Sequence, residues 1–152
     1  MTGVQTCALP IYLARGVRIT GALDVETLRM ALQALVARHE ILRTTFARSE
    51  HHAGTDGQPL QMIAAVSAIE LPVIDLSSTA PAEREQQGRE LARAEAQKSF
   101  DLTLGPLVRP VLIKLEEADH VLLLNTHRIV ADESSLRIFF NELWEGYRAF
   151  VN

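Results

Sequence analysis

The run VLLL at residues 121–124 constrains the fold of this chain more than any other feature. Side chains alternate between the two faces of a strand, so an unbroken aliphatic strand has no wet side. It must lie inside a sheet with a layer packed on each face. LVRPVLIKL, at residues 107–115, supplies a partner: the turn EEAD joins it to HVLLLNT, and the two read as a strand pair.

The layers can be read around that pair. YLARGVRITG, residues 12–21, alternates apolar and polar positions around Arg15 and Arg18 and predicts a strand ending at Gly21. Asp24 caps a predicted helix from Val25 to Arg38, with Leu28, Ala31, Leu32, Leu35 and Val36 on one face. ILRTTFA predicts a strand from Ile41, followed by the polar, Gly-rich turn SEHHAGTDGQP. LQMIAA and IELPVIDL are predicted strands, the second confined by Pro72 to an edge or a bulge. Residues 81–100 read as a surface helix with Leu91, Ala92, Ala96 and Phe100 as its sparse apolar face. The last segment, SLRIFFNELWEGYRAF, places Leu136, Phe139, Phe140, Leu143, Trp144, Tyr147 and Phe150 on one stripe. That is more aromatic surface than its own layer needs, and predicts exposure around Phe139, Leu143 and Trp144. The order β-α-β-β-β-α-β-β-α indicates an α/β or α+β layered domain.

At 152 residues, 47% of them hydrophobic and 22% charged, the chain fits one globular domain. A net charge of -4 gives no reason to expect nucleic acid or an anionic membrane as partner. No apolar run approaches the roughly 20 residues that span a bilayer. Residues 1–11, MTGVQTCALPI, read as a translated sequencing-library adapter and are set apart from the fold. Cys7, the one cysteine, falls in that segment, so cysteine usage does not indicate the redox compartment. The expectation is an artefactual segment 1–11 and a domain at 12–152 truncated at both ends.

The buried strand runs directly into NTHRIVADESS, residues 125–135, a His/Arg/Asp turn that opens the last helix. Three ordered motifs then carry a resemblance. RHEILRTTF, residues 38–46, is similar to RHExLRTxF; FDLTLGPLVR, residues 100–109, to xFDLxxGPLxR; and HRIVADE, residues 127–133, to HHxxxDG. Together they resemble the condensation domains of nonribosomal peptide synthetases. A literal HHxxxDG also stands at His51, His52, Asp56 and Gly57, but in a polar turn with no strand delivering it, and reads as a decoy.

The resemblance implies a fold: the N-terminal, donor-side half of a chloramphenicol-acetyltransferase-like domain, a mixed sheet with flanking helices. It also implies a chemistry, amide formation between a carrier-bound acyl thioester and a carrier-bound amine, both arriving on phosphopantetheine arms. No cofactor is bound directly. The implied partners are the C-terminal half of the domain, peptidyl carrier proteins and a tailoring enzyme, and the implied location is cytoplasmic. Aligned on the aspartate, His127 takes the first histidine, Arg128 the catalytic second histidine, Asp132 the structural aspartate and Glu133 the glycine. A guanidinium donates hydrogen bonds and accepts no proton, so Arg128 changes what the site can do. His127, Asp132 and Glu133 lack the spacing and the fourth partner of a metal site. Three functions follow: a condensation-type domain with an altered site, inactive as this chain alone; a noncatalytic platform that recruits tailoring enzymes or carrier proteins; or a truncated reading frame without function of its own.

Overall fold

The computed structural model describes residues 11–48, 58–65 and 68–151. β1 (Tyr12–Thr20) leads through Gly21 towards α1 (Val25–Arg38). Gly21 has φ 109°, a conformation that only glycine adopts without strain, and its N–H closes the corner on the Ala118 carbonyl at 2.8 Å. α1 begins where the sequence places it. The Asp24 carboxylate accepts the Thr27 N–H at 2.7 Å and so satisfies one of the unpaired donors of the first turn. The buried residues of α1 are Leu28, Ala31, Leu32, Leu35 and Val36, the stripe read from the sequence.

ILRTTFA does not begin as a strand. A 3-10 turn, Glu40–Arg43, comes first, and β2 is Thr44–Arg48. The Leu42 N–H bonds to the His39 carbonyl at 3.0 Å, and the Thr44 hydroxyl donates to the Glu40 carbonyl at 2.8 Å. These local bonds hold the chain in a turn until pairing with β3 (Pro59–Ile63) takes over. β3 therefore starts one residue before LQMIAA and ends two residues short of it. The turn between β2 and β3, with its copy of the signature at His51, His52, Asp56 and Gly57, lies outside the described residues, as does Cys7.

Of IELPVIDL only Val73–Asp75 forms a strand, β4. Pro72 immediately precedes it and contributes only its carbonyl, which accepts the Leu112 N–H at 3.0 Å. α2 (Pro81–Gln97) ends three residues before Phe100, where the Lys98 N–H turns back to the Glu95 carbonyl at 3.3 Å. β5 (Val108–Glu116), β6 (Asp119–His127) and α3 (Glu133–Val151) complete the chain in the predicted order.

The main sheet runs β1-β6-β5-β4, antiparallel except for β4, which lies parallel to β5. It is a mixed sheet with β6 inside and the short β4 at one edge. Pro110 stands in the interior of β5, opposite Leu124. The Leu112 N–H faces β4, so the donor that Pro110 lacks faces the same way, beyond the end of β4, and no ladder bond is lost. Leu122 and Leu124 join Val108 and Leu112 in the core beneath α1 and α3. Leu123 packs on the other face with Val111, Ile113 and the α2 residues Leu91 and Ala92. The aliphatic run is covered on both sides.

α3 departs from its prediction. Phe139 is 7% exposed and Leu143 0%, and Trp144 and Tyr147 pack partly buried against the same core. α1 takes up this surface. A Cβ on Gly146 would lie 3.7 Å from that of Ala31, so the two helices run close enough to share the stripe. Of the stripe, Phe150 at its far end is exposed. Among the described residues no helix is long and apolar enough to cross a membrane.

Candidate functional site

β6 ends at His127, a turn carries Arg128, Ile129 and Val130, and α3 opens at Glu133. The His127 N–H bonds to the Leu107 carbonyl at 3.1 Å, and the His127 carbonyl accepts the Val130 N–H at 3.1 Å. Its Nδ1 accepts the Ile129 N–H at 3.0 Å. A ring nitrogen that accepts a backbone N–H carries no proton, so the neutral ring is the Nε2–H tautomer. Burial pushes the His127 pKa below the ordinary histidine value, which favours that neutral form. The ring meets Tyr12 edge-on at 5.4 Å and Phe100 at 6.4 Å.

Arg128 is exposed, and its N–H bonds to the Ile11 carbonyl at 2.8 Å, which ties the turn to the start of β1. Asp132 caps α3. Its carboxylate accepts the Ser135 N–H and the Ser135 hydroxyl, both at 2.7 Å, while the Asp132 N–H donates to Ser135 Oγ at 3.2 Å. This reciprocal pair is a capping box built on serine. The Ser135 backbone N–H, then its hydroxyl, holds the Asp132 carboxyl below the usual carboxylate range. Glu133 is exposed in the first turn of α3, where the helix dipole favours a negative charge.

The four predicted residues thus form one strand–turn–helix corner. They offer hydrogen-bond donors and an occupied imidazole lone pair. A guanidinium has five donors and no acceptor, and His127 Nδ1 is already engaged. An exposed guanidinium here can donate to a carbonyl or an oxyanion, and Glu133 adds an exposed carboxylate to the same corner.

Beside the corner lies an apolar cleft of about 210 Å³, walled by Leu35, Leu42, Leu124, Val130, Leu136 and Phe139. The strand period puts Leu124 on the α1/α3 side of the sheet and His127 on the α2 side, so the corner reaches both faces. The end of α1 is tied down next to the cleft. Glu142 of α3 meets His39 Nε2 at 2.7 Å and Arg38 at 3.3 Å, and the His39 bond, helped by the Arg38 contact and opposed by burial, leaves its carboxyl below the usual range. Arg43 bridges Glu40 at 3.4 Å and donates to the Ala64 carbonyl.

Motif reading missed the cleft, the Asp132–Ser135 cap and the aromatic residues around His127. The cap had a signal, the D-x-x-S spacing of Asp132 and Ser135. Phe100 and Arg109 both lie in FDLTLGPLVR, so the segment was visible although its contact with His127 was not.

The profile of the Condensation domain family matches residues 12–152. One of the proteins that make up the linear gramicidin synthase of Brevibacillus parabrevis is 39% identical over 142 residues, 93% of this chain and 2% of that protein. The starter condensation domain of rhizomide synthetase RzmA superposes with a TM-score of 0.82 at 25% identity, covering 93% of this chain and 34% of that one. The X-domain from teicoplanin biosynthesis gives 0.75 at 34% identity, covering 90% of this chain and 27% of that one. The same X-domain in complex with OxyB gives 0.68, again at 34%, over 92% and 28%. The chain therefore spans about a third of these solved chains and a small part of the gramicidin synthase protein.

Proposed function

Because this chain belongs to the condensation-domain family of nonribosomal peptide synthetases, we propose that residues 12–152 form the N-terminal, donor-side half of such a domain, with Arg128 in the place of the catalytic second histidine. Residues 1–11 are adapter-derived in this reading. The reaction joins an acyl thioester and an amine, both on phosphopantetheine arms of carrier proteins. The amine nitrogen attacks the thioester carbonyl, one proton leaves the nitrogen, and the thiol departs from the tetrahedral intermediate. Arg128 donates hydrogen bonds to the carbonyl oxygen as it becomes negative. His127 holds the turn, Asp132 caps α3, and Glu133 adds a carboxylate where the family has glycine. None of them removes the proton, so the amine must shed it unaided.

The observation that supports this reading most is the state of the corner itself: the Nδ1 of His127 is taken by the Ile129 N–H, and the next residue is an arginine. The decisive comparison is Arg128→His in the assembled domain, with single-turnover amide formation as the readout. A positioned general base contributes about 10²–10⁴-fold, and a gain of that order is expected. Equal rates for the two forms would overturn the reading.

The similarity to the teicoplanin X-domain, solved with OxyB, favours a second reading in which the domain recruits a tailoring enzyme to a carrier-bound peptide. Titration of an oxidative tailoring enzyme into the Arg128 form separates the two. Binding at micromolar concentration or tighter is the expectation of this second reading, and absence of binding removes it.

A further inference from the structure

The ring of His127 sits in an aromatic box to which the signature contributes no other residue. Tyr12 faces His127 across the β1–β6 register, and Phe100 follows the end of α2. The Tyr12 and Phe100 rings meet edge-on at 5.5 Å, and the Phe100 N–H donates to Tyr12 Oη at 3.4 Å. Phe100 belongs to no helix or strand, so its position has to come from contacts. Arg109 supplies one. It lies on β5 opposite Asn125, two residues before His127, and the strand period brings its side chain to the face that carries the His127 ring.

The Arg109 guanidinium stands 4.3 Å from the centre of the Phe100 ring. It donates to the carbonyls of Lys98 at 2.9 Å, Glu95 at 3.3 Å and Ser99 at 3.4 Å. These carbonyls lie at and just past the C-terminus of α2, where the helix dipole is negative and a cation is favoured. Burial lowers the proton affinity of Arg109, a cost that an apolar side chain filling the same space would avoid. What the cation provides in return is a fixed helix end and a fixed ring.

We propose that Arg109 is a positioning residue for His127: by closing the C-terminus of α2 and stacking on Phe100, it fixes the aromatic box that holds the imidazole in one orientation with its proton on Nε2. The Ile129 N–H bonded to Nδ1 then fixes the turn that presents Arg128. The role rests on the proposed reading of the His127–Asp132 corner as the working site, and its test reads the ring without turnover.

The test follows the His127 ring nitrogens by NMR during a pH titration of the ¹⁵N-labelled chain, in the parent and in Arg109→Met, Arg109→Lys and Phe100→Leu. The parent should show a single Nε2–H tautomer titrating below the ordinary value of 6.5. Arg109→Met and Phe100→Leu should mix the tautomers and raise the titration midpoint by about half a pH unit or more, since each opens the ring to water. Arg109→Lys keeps the charge without the planar fork and should give a smaller rise in the same direction. Unfolding midpoints measured in parallel separate positioning from bulk stability. Arg109→Met or Phe100→Leu unfolding at lower denaturant with the His127 tautomer and midpoint unchanged would overturn the proposal. If one of these two does not fold, the other and Arg109→Lys still decide it. A ring that shifts as expected in a domain whose amide formation ignores Arg109 supports the positioning and sinks the functional reading instead.

Discussion

Asp132 does its observed work within α3: its carboxylate is filled by the Ser135 N–H and hydroxyl, and its carbonyl takes the Leu136 N–H at 3.1 Å. Asn is about as good an N-cap as Asp, and Ala is much worse. Asp132→Ala should therefore lower the urea midpoint of the chain, and Asp132→Asn should leave it nearly unchanged at neutral pH. The folded state lowers the Asp132 pKa, so its contribution is present above the unfolded value of 3.8 and fades as pH falls through the lower folded one. Urea titrations of the parent and Asp132→Asn between about pH 5 and 2 check this: the Asn variant should lose less over that range. The Asp132–Ser135 cap was missed although its D-x-x-S spacing is a local signal. Tyr12, Phe100 and Arg109 were not legible, because what places them beside His127 is sheet register and the end of a helix far away in sequence.

α1 and α3 show what a segment declares about itself and what it leaves to its neighbours. α1 was legible from end to end, because a capping aspartate and a 3.6-residue apolar period are both local signals. The start of β2 was not: Ile41 has strand propensity, but the Thr44 hydroxyl and the His39 carbonyl bind the backbone as a turn first. The stripe on α3 was read correctly and its partner was missed, since a period says that a face is buried without saying against what. Leu143, fully buried between α3 and α1, is the direct check. Leu143→Ala should cost about 2–5 kcal/mol in urea unfolding, the range for a deeply buried leucine. Phe150→Ala, at the exposed end of the same helix, should change stability by less than about 0.5 kcal/mol. Equal effects at the two positions would mean that α3 does not pack on α1 as described.

The largest unit of the described residues is a four-stranded mixed sheet covered on both faces, as the reading of residues 121–124 as a strand without a wet side requires. Two of its histidines lie in that sheet. Burial, followed by the nearby Lys114, lowers the pKa of His120, and burial lowers that of His127. For both, the unfolded chain binds the proton more readily, so their contribution is complete above the unfolded value of 6.5 and declines as pH falls below it. The urea midpoint should be flat above about pH 7.5 and drop as pH falls from 6.5 towards 5, and His120→Gln should flatten part of that drop if it folds. Under the proposed function the His127–Asp132 corner offers hydrogen-bond donors at Arg128 and no imidazole base. The measurement that tests it most directly is the pH–rate profile of single-turnover amide formation by the assembled domain with Arg128 in place. Without a site base the rate should follow the free-amine fraction, rising about tenfold per pH unit up to about pH 7 and bending over only near the amine pKa of about 7.7–8.0. A profile that levels off above about pH 6.5, the signature of an imidazole base, would contradict the account.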